Sequence, residues 1–272
     1  METPDTKRFL NSIKSSLPLI AMIAALLALR WTLVEPYVVP TSSMEPTLKK
    51  GDRLYALKCA YDIRFPFTEK VMFRTGSMKR GDIILFLAPH DPGIMYVKRL
   101  IGLPGDKIKF VSGVLYVNGQ AMEKQDFPNR DVMYDIESKE TKKLYTEKLD
   151  GVKHYVILDT ANDNSIQKQL FYKRYYDETE VPPNHFFASG DNRDGSYDSR
   201  AWGFVPYENM KGKAMFIWLS AWTDNARDPH QYEREPFIMK VIYFVVDFFT
   251  FFIDLARGQA HIRFERIGTL LQ

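Results

Sequence analysis

The segment from Gly190 to Arg200 constrains this chain more than any other stretch of its sequence. It reads G-D-N-R-D-G-S-Y-D-S-R and places eight polar or charged residues and two glycines between apolar runs at residues 186–188 and 201–205. Glycine permits backbone angles that other residues avoid, and Asp, Asn and Ser side chains hydrogen-bond nearby backbone. An ordinary surface turn needs far fewer polar residues. The pattern therefore predicts a rigid polar loop, wedged between core strands, that holds something in place.

An apolar run near the N-terminus predicts a membrane anchor at residues 16–34. The run contains roughly 18 apolar residues, close to the ~20 that cross a bilayer. Arg30 and Trp31 suit the membrane interface. A cleavable signal peptide is the alternative, but residues 33–36 read L-V-E-P and offer no small-x-small cleavage site. Because basic residues precede the run, residues 1–15 are expected to be cytoplasmic and the chain after Pro36 to lie outside.

The region after the anchor has the pattern of a β protein. Short apolar runs such as residues 53–57 are bounded by turns, and Ser112-Gly113 separates two more, which predicts a hairpin. Asn118-Gly119 predicts a further tight turn with positive φ. From residue 120 to residue 183 the chain becomes rich in Lys, Glu, Asp and Tyr, with few apolar runs. This change predicts a separate insertion, which we call the cap.

Composition excludes several functional classes. The net charge is only +3 and 14% of the residues are aromatic, so no nucleic-acid surface is indicated. The single cysteine, Cys59, cannot form an intramolecular disulfide and is expected to be a buried free thiol. The five histidines are scattered and no Cys/His cluster exists, so no metal site is expected.

Several motifs together make the chain resemble a known family. Residues 41–48 read T-S-S-M-E-P-T-L, residues 98–106 read K-R-L-I-G-L-P-G-D, and residues 80–86 read R-G-D-I-I-L-F. With the loop Gly190–Arg200, and in this order, they resemble the sequence boxes of the bacterial type I signal peptidases (leader peptidases). One box alone would be weak, whereas the ordered set is highly specific.

The resemblance implies a mainly β fold. We expect a signal-peptidase-type β catalytic domain with an inserted α+β cap, an N-terminal transmembrane helix and a C-terminal amphipathic helix. The expected parts are a cytoplasmic segment 1–15, an anchor 16–34, a first catalytic part 35–119, the cap 120–183, a second catalytic part 184–223, an insertion 224–260 with the amphipathic helix, and a C-terminal strand 261–272.

A serine that acts as a nucleophile requires a base nearby. A serine hydroxyl attacks poorly unless a base takes its proton, and no histidine lies in any of the motifs. A lysine can serve if burial destabilises its ammonium form. Lys98 has the apolar neighbours Met95–Val97 and Leu100-Ile101. Since a strand lysine is more often a surface residue, its assignment as the base depends on the resemblance.

The resemblance implies a role for each site residue. Ser43 matches the nucleophile and Lys98 the general base. Thr41 lies where many members have a serine whose hydroxyl holds the oxyanion beside the nucleophile's own N–H, and threonine keeps that hydroxyl. Ser196 matches the serine that orients the lysine. The residues expected to support the site structurally are Asp191, Asp198 and Arg200.

The implied reaction is cleavage of exported preproteins through an acyl-enzyme, without a cofactor. The substrate would carry small residues one and three positions before the cut and would pair with a strand edge. The expected partners are signal peptides and membrane lipid, and not nucleic acid. The expected location is the bacterial cytoplasmic (inner) membrane, with the catalytic domain on the periplasmic face.

Two other classes of protein are weighed against this one. A LexA-like repressor autoprotease uses Ser-Lys chemistry on a related β fold, but it would carry a DNA-binding domain where this chain has an apolar run. A non-enzymatic, membrane-anchored paralogue is disfavoured by intact Ser43, Lys98 and Ser196. Mitochondrial inner-membrane peptidases resemble the chain more than these two classes do. The ER signal peptidase uses histidine in place of the lysine, so Lys98 favours the bacterial type.

The segment from Phe237 to Leu255 predicts an amphipathic helix at the membrane interface. It is rich in apolar residues, yet Lys240, Asp247 and Asp254 recur every seven residues on one stripe. Charges inside a lipid-facing span would be unfavourable. The chain after it resembles the family's C-terminal strand, which a single crossing would leave in the cytoplasm. A second span, or a packed helix in a partner contact, is the alternative.

Overall fold

The computed structural model describes residues 15–23, 25–26, 28, 32–65, 68, 70–159, 178–223 and 237–271. Its strands are β1 (Val34–Val38), β2 (Asp52–Leu57), β3 (Asp62–Arg64), β4 (Val71–Arg74), β5 (Ile83–Leu87), β6 (Met95–Gly102), β7 (Lys107–Val111), β8 (Val114–Val117), β9 (Gln120–Ala121), β10 (Glu123–Asp126), β11 (Lys142–Leu149), β12 (Val152–Asp159), β13 (Thr179–Glu180), β14 (His185–Ser189), β15 (Val205–Pro206), β16 (Met210–Thr223) and β17 (Ala260–Ile262). Helix α1 spans Ser199–Trp202 and helix α2 spans Phe237–Ala256. The expectation of a mainly β protein is confirmed.

The largest sheet has the strand order β1-β2-β16-β5-β6-β14-β15, and β17 pairs with β16. Strand β16 pairs with β5 through residues 210–213 and with β2 through residues 213–220, and the register shifts within both pairings. Such irregularities bend a strand and increase its twist. The sheet is therefore curled, and β5 and β6 lie near its middle.

The middle of this sheet is buried on both faces. Leu85 and Val97 pack into one apolar cluster, and Ile84, Phe86 and Leu100 pack into another. Because side chains alternate along a strand, residues 96, 98 and 100 of β6 share the second face. A lysine at position 98 is consequently placed in an interior position.

A second sheet, β13-β7-β8-β9, lies beside the first and contains both predicted turns. Ser112 and Gly113 have φ of 48° and 73° and join β7 to β8. Asn118 and Gly119 have φ of 53° and 77° and join β8 to β9. Both turn predictions are confirmed, since these residue pairs tolerate the left-handed region.

The expected cap contains a third sheet, β10-β11-β12, with its own buried cluster of Met133, Ile136, Leu144 and Ile157. Strands β9 and β13, at the ends of the 120–183 range, instead pair with β8 and β7. Among residues 120–159 and 178–183 the expected helical component is limited to short 3-10 turns. The remainder of the cap, residues 160–177, lies outside the described residues.

The C-terminal segment returns to the large sheet after helix α2. Strand β17 pairs antiparallel with β16, with Ile262 opposite Ala221, and Leu270 forms an isolated bridge to Phe216. The bounds of α2 match the predicted helix within a residue. Strand β16 precedes α2 in the chain and β17 follows it, so described segments on both sides of α2 belong to the same sheet.

The N-terminal region is helical where it is described, at residues 15–23, 25–26, 28 and 32–33, and β1 begins directly afterwards at Val34. Arg30 and Trp31, the predicted interface residues, lie outside the described residues. None of the helices in the described part of the chain combines the length and the apolar character that a membrane crossing needs.

Candidate active site

Ser43 lies in a 3-10 turn, Ser42–Met44, that follows β1. Met44 and Leu48 are fully buried in the same apolar cluster and anchor the chain on the C-terminal side of Ser43. The Gly51 N–H donates to the Val39 carbonyl at 2.9 Å and closes the loop. Ser43 itself is only 6% exposed, so its hydroxyl is held in a sheltered position.

Lys98 lies in the middle of β6, between β5 and β14, and is 2% exposed. Its Nζ donates a hydrogen bond of 2.5 Å to Ser43 Oγ, across 55 positions of sequence. The ring of Tyr96, two positions earlier on the same strand, lies 5.2 Å from Nζ. The structure therefore brings together the two residues expected to form the dyad.

Burial lowers the pKa of Lys98 to about 8, because desolvation disfavours the ammonium form. The negative charge of Asp198 opposes this shift, and the positive charge of Arg200 adds to it. An amine with this pKa is substantially neutral at mildly alkaline pH. Only the neutral form has a lone pair that can accept a proton from Ser43.

Thr41 lies on the exposed side of the turn that carries Ser43. Its Oγ1 is 3.2 Å from Ser43 Oγ, within hydrogen-bonding distance. The turn follows an extended residue, since Thr41 has φ of −129° and ψ of 163°. The hydroxyl is thus beside the point where a carbonyl under attack by Ser43 would be located.

Asp198 is the centre of the loop's internal hydrogen bonds. Its Oδ2 accepts from Ser196 Oγ at 2.7 Å, from the Gly190 N–H at 2.9 Å and from Ser189 Oγ at 3.1 Å. Arg200 donates to both carboxylate oxygens. Burial by itself would raise the pKa of Asp198, but the charge and hydrogen bonds of Arg200 outweigh it and hold that pKa below its usual range. The hydroxyl of Ser196 is thereby fixed by an ionised carboxylate.

Asp191 connects three of the four sequence motifs, namely its own loop, the motif of Ser43 and the motif of Lys98. Arg99 donates to both of its carboxylate oxygens at 2.8 Å, and Thr47 Oγ1 donates to Oδ2 at 2.6 Å. All of Arg99 and Asp191 is buried, so each charge needs the other. Sequence reasoning assigned a supporting role to Asp191 but missed Arg99 and Thr47. Both residues could have been found from the sequence, because Arg99 follows Lys98 directly and Thr47 lies in the motif of Ser43.

Gly190 allows the loop to approach the turn of Ser43 closely. A Cβ built at this position would lie 2.3 Å from Ser196 Oγ and 2.4 Å from the Ser43 carbonyl oxygen. The next residues continue the contact, since the Asn192 N–H donates to that same carbonyl at 3.1 Å. The loop therefore packs backbone to backbone against the turn.

In the part of the chain that the structure describes, no group of three or more His, Cys, Asp or Glu side chains is placed to hold a metal ion.

The chain is similar to known proteins over most of its length. The family model described as "Signal peptidase, peptidase S26" matches residues 11–220. A Signal peptidase I from Pseudomonas fluorescens is 37% identical over 221 residues, which is 76% of this chain and 71% of the relative. That of Pseudomonas aeruginosa is 36% identical over 78% of this chain and 72% of the relative. That of Buchnera aphidicola subsp. Acyrthosiphon pisum is 34% identical over 78% and 76%.

Proposed function

Because the chain belongs to the signal peptidase family, peptidase S26, we propose that it cleaves signal peptides from exported preproteins with a Ser43–Lys98 dyad. The family makes the protein a peptidase. The observation that carries the dyad is the 2.5 Å hydrogen bond from Lys98 Nζ to Ser43 Oγ in a site that buries the lysine. This hydrogen bond supports a mechanism in which the amine of Lys98 accepts and donates the proton in each step.

In this mechanism, neutral Lys98 takes the proton of Ser43 as Oγ attacks the scissile carbonyl. The Ser43 N–H and the Thr41 hydroxyl donate to the oxyanion of the tetrahedral intermediate. Lys98 then protonates the leaving amine, which leaves an ester on Ser43. A water molecule then gives a proton to Lys98 and attacks the ester carbonyl, the bond from that carbon to Ser43 Oγ breaks, and Lys98 returns the proton to Oγ.

The proposed role of Ser196 is to orient the side chain of Lys98. Its hydroxyl donates to Asp198 Oδ2 and therefore has its oxygen lone pairs available toward the site. The charge of Asp198 also acts on Lys98 directly, since it raises the pKa of the amine against the effect of burial. Asp191, Asp198 and Arg200 also support the site structurally.

The rate of cleavage is expected to rise with pH along a limb near pH 8. Lys98 must be neutral in the free enzyme, and burial lowers its pKa to about 8 from an ordinary value of about 10.5. Two units below that pKa, kcat/KM should be about a hundredfold below its plateau. The measurement is kcat/KM from pH 5 to pH 10 on a peptide substrate without groups that titrate in this range.

Glu45 provides the control for this profile. Burial raises the pKa of Glu45 to about 7, and the residue lies two positions from Ser43. A Glu45→Gln variant should therefore keep the limb near pH 8. A limb that disappears in this variant, or a wild-type kcat/KM that still rises about tenfold per pH unit between pH 9 and pH 10, would contradict Lys98 as a desolvated base.

The proposed location is the bacterial inner membrane, with residues 1–15 in the cytoplasm and the catalytic domain outside. Exposed apolar side chains on the helical residues near the N-terminus support an anchor there, among them Leu17, Leu19, Ile20, Met22, Ile23 and Leu26. Such side chains are unfavourable in water and favourable in lipid. Membrane attachment would also place the enzyme beside the exported precursors.

Helix α2 is proposed to lie in the outer membrane interface. Among the α2 side chains whose burial the structure describes, seven large apolar ones are exposed, namely Ile242, Val245, Val246, Phe249, Phe252, Ile253 and Leu255. Asp254 is buried, and the pairing of β17 with β16 holds the chain after α2 on the large sheet. A helix that must return to this sheet can lie on a bilayer but is poorly placed to cross it once.

When a reporter is fused after Gln272, we expect a periplasm-active reporter to give a signal and a cytoplasm-active reporter to give none. The reason is that an interfacial α2 leaves the C-terminus on the same side as the catalytic domain. Paired fusions of a periplasm-active and a cytoplasm-active reporter give the measurement, with the same pair fused before residue 15 as the control. Activity of the cytoplasmic reporter after Gln272 would show that α2 spans the membrane.

A further inference from the structure

The cap contacts the active-site loop directly. Strand β12 forms a parallel bridge between Ile157 and Asn192, in which the Ile157 N–H donates to the Asp191 carbonyl at 2.9 Å. Two residues further along, the Asp159 N–H donates to Asp194 Oδ2 at 2.7 Å. The loop from Gly190 to Arg200 therefore has the cap along one side and the turn of Ser43 along the other.

A buried charge pair joins the cap to the loop Gly190–Arg200 at this contact. Glu147, in β11 of the cap, is 0% exposed, and Arg193, in the loop, is 2% exposed on its side chain. Both terminal nitrogens of Arg193 donate to the Glu147 carboxylate, one of them at 3.3 Å. Removing one member of such a pair leaves the other charge buried and uncompensated, which is far more unfavourable than removing both.

The carboxylate of Glu147 is ionised in this position. Burial alone would raise the pKa of Glu147, but the charge and the hydrogen bonds of Arg193 outweigh it and lower the pKa to about 2. His154 is the cross-strand partner of Glu147 on β12, with Nε2 at 3.2 Å from Oε1. Burial and the nearby charge of Arg99 lower the pKa of His154, which favours its neutral form.

Short contacts connect Arg193 to the reacting groups. The residue before it, Asn192, donates from its N–H to the Ser43 carbonyl and from Nδ2 to the Ser42 carbonyl, each at 3.1 Å. The carbonyl of Arg193 accepts from Arg200 Nη2 at 2.6 Å, and Arg200 holds Asp198. The guanidinium groups of Arg193 and Arg200 each lie 5.6 Å from the centre of the Phe110 ring.

We propose that Glu147 is a positioning residue for the cleavage reaction, and that the cap serves to supply this counter-charge to the active-site loop. By holding Arg193, Glu147 fixes the backbone that carries Asn192 on one side and, through Arg200 and Asp198, Ser196 on the other. The inference rests on the proposed Ser43–Lys98 function. It assigns to the cap a part in the turnover of the enzyme and none in the binding of substrate.

The test is the full-length enzyme in detergent, acting on a soluble peptide with a small-x-small cleavage site. Glu147→Gln is expected to lower kcat about tenfold or more while KM changes by less than about twofold, because misplaced reacting groups lower turnover and leave the binding of substrate unchanged. Each variant is assayed well below its own unfolding temperature. Glu123→Gln, which removes an exposed carboxylate from the neighbouring strand β10, is the matched control and should keep both constants.

A second variant keeps the test decisive if Glu147→Gln does not fold. The double variant Glu147→Gln/Arg193→Gln contains no buried charge at this contact, so it should fold, with a kcat several-fold below wild type. A wild-type kcat in either folded variant would overturn the proposal, whatever happens to the unfolding temperature. Ser43→Ala in the same assay distinguishes the two proposals. Cleavage by this variant would contradict the Ser43–Lys98 function, whereas the role of Glu147 is tested only by the Glu147 variants.

Discussion

Ser43→Ala and Lys98→Ala are each expected to lower the rate of preprotein cleavage by on the order of 10⁴-fold or more. Without the Ser43 hydroxyl there is no nucleophile, and without the Lys98 amine the hydroxyl keeps its proton. The double variant should be little slower than either single variant, because the two groups act as a unit across their 2.5 Å hydrogen bond. The measurement is single-turnover cleavage of a small-x-small preprotein in detergent, with circular dichroism to verify the fold.

Two further variants sharpen this experiment. Lys98→Arg should be as inactive as Lys98→Ala, because a guanidinium stays charged and cannot accept a proton. Ser42→Ala, which removes the hydroxyl of the exposed neighbouring serine, should retain activity. Substantial cleavage by Ser43→Ala or by Lys98→Arg would show that another pair of residues performs the reaction.

Gly190→Ala is expected to reduce turnover on the order of 10²-fold, the effect of displacing reacting groups by about 1 Å. The new Cβ would lie 2.3 Å from Ser196 Oγ and 2.4 Å from the Ser43 carbonyl oxygen, so the loop and the turn of Ser43 must move apart. The φ of Gly190 lies outside the left-handed region, so alanine can adopt the backbone conformation itself. The expected loss therefore comes from the close approach alone.

Gly119→Ala is the complementary control. Gly119 has φ of 77°, which alanine tolerates poorly, but a Cβ at this position would have no neighbouring atom within 4 Å. The variant should lose about 1–2 kcal/mol of stability and keep its kcat, since the strained turn lies outside the active site. If Gly190→Ala kept the wild-type kcat, close packing of the loop on Ser43 would be unnecessary for catalysis.

The comparison of Lys98 with Glu147 shows how far the site could be predicted. Lys98 is identifiable because it lies in a motif with a known order and spacing, and the motif itself names the residue. Glu147 lies in a polar segment in which glutamate is common, and nothing near it in the sequence distinguishes it from Glu123 or Glu140. Its partner Arg193 was visible in the loop, but a single arginine in a polar motif predicts no particular counter-ion.

The cap illustrates the same limit for the fold. The change in composition at residue 120 predicted an insertion, and its sheet β10-β11-β12 is present. The pairing of strands β9 and β13 with β8 and β7 was not predicted, because two-residue strands carry almost no periodicity. Whether such short segments pair depends on the neighbours that the rest of the chain places beside them.

The sequence by itself determined the local features of this protein: the left-handed turns at Ser112-Gly113 and Asn118-Gly119, the bounds of helix α2, and the motifs that contain Ser43 and Lys98. These depend on residues within a few positions of one another. Only the tertiary structure decided which buried charges meet, as in the contacts of Asp191 with Arg99 and of Glu147 with Arg193. Those pairs form because folding removes each charge from water next to its counter-ion, and desolvation is a property of the packed molecule that no local pattern carries.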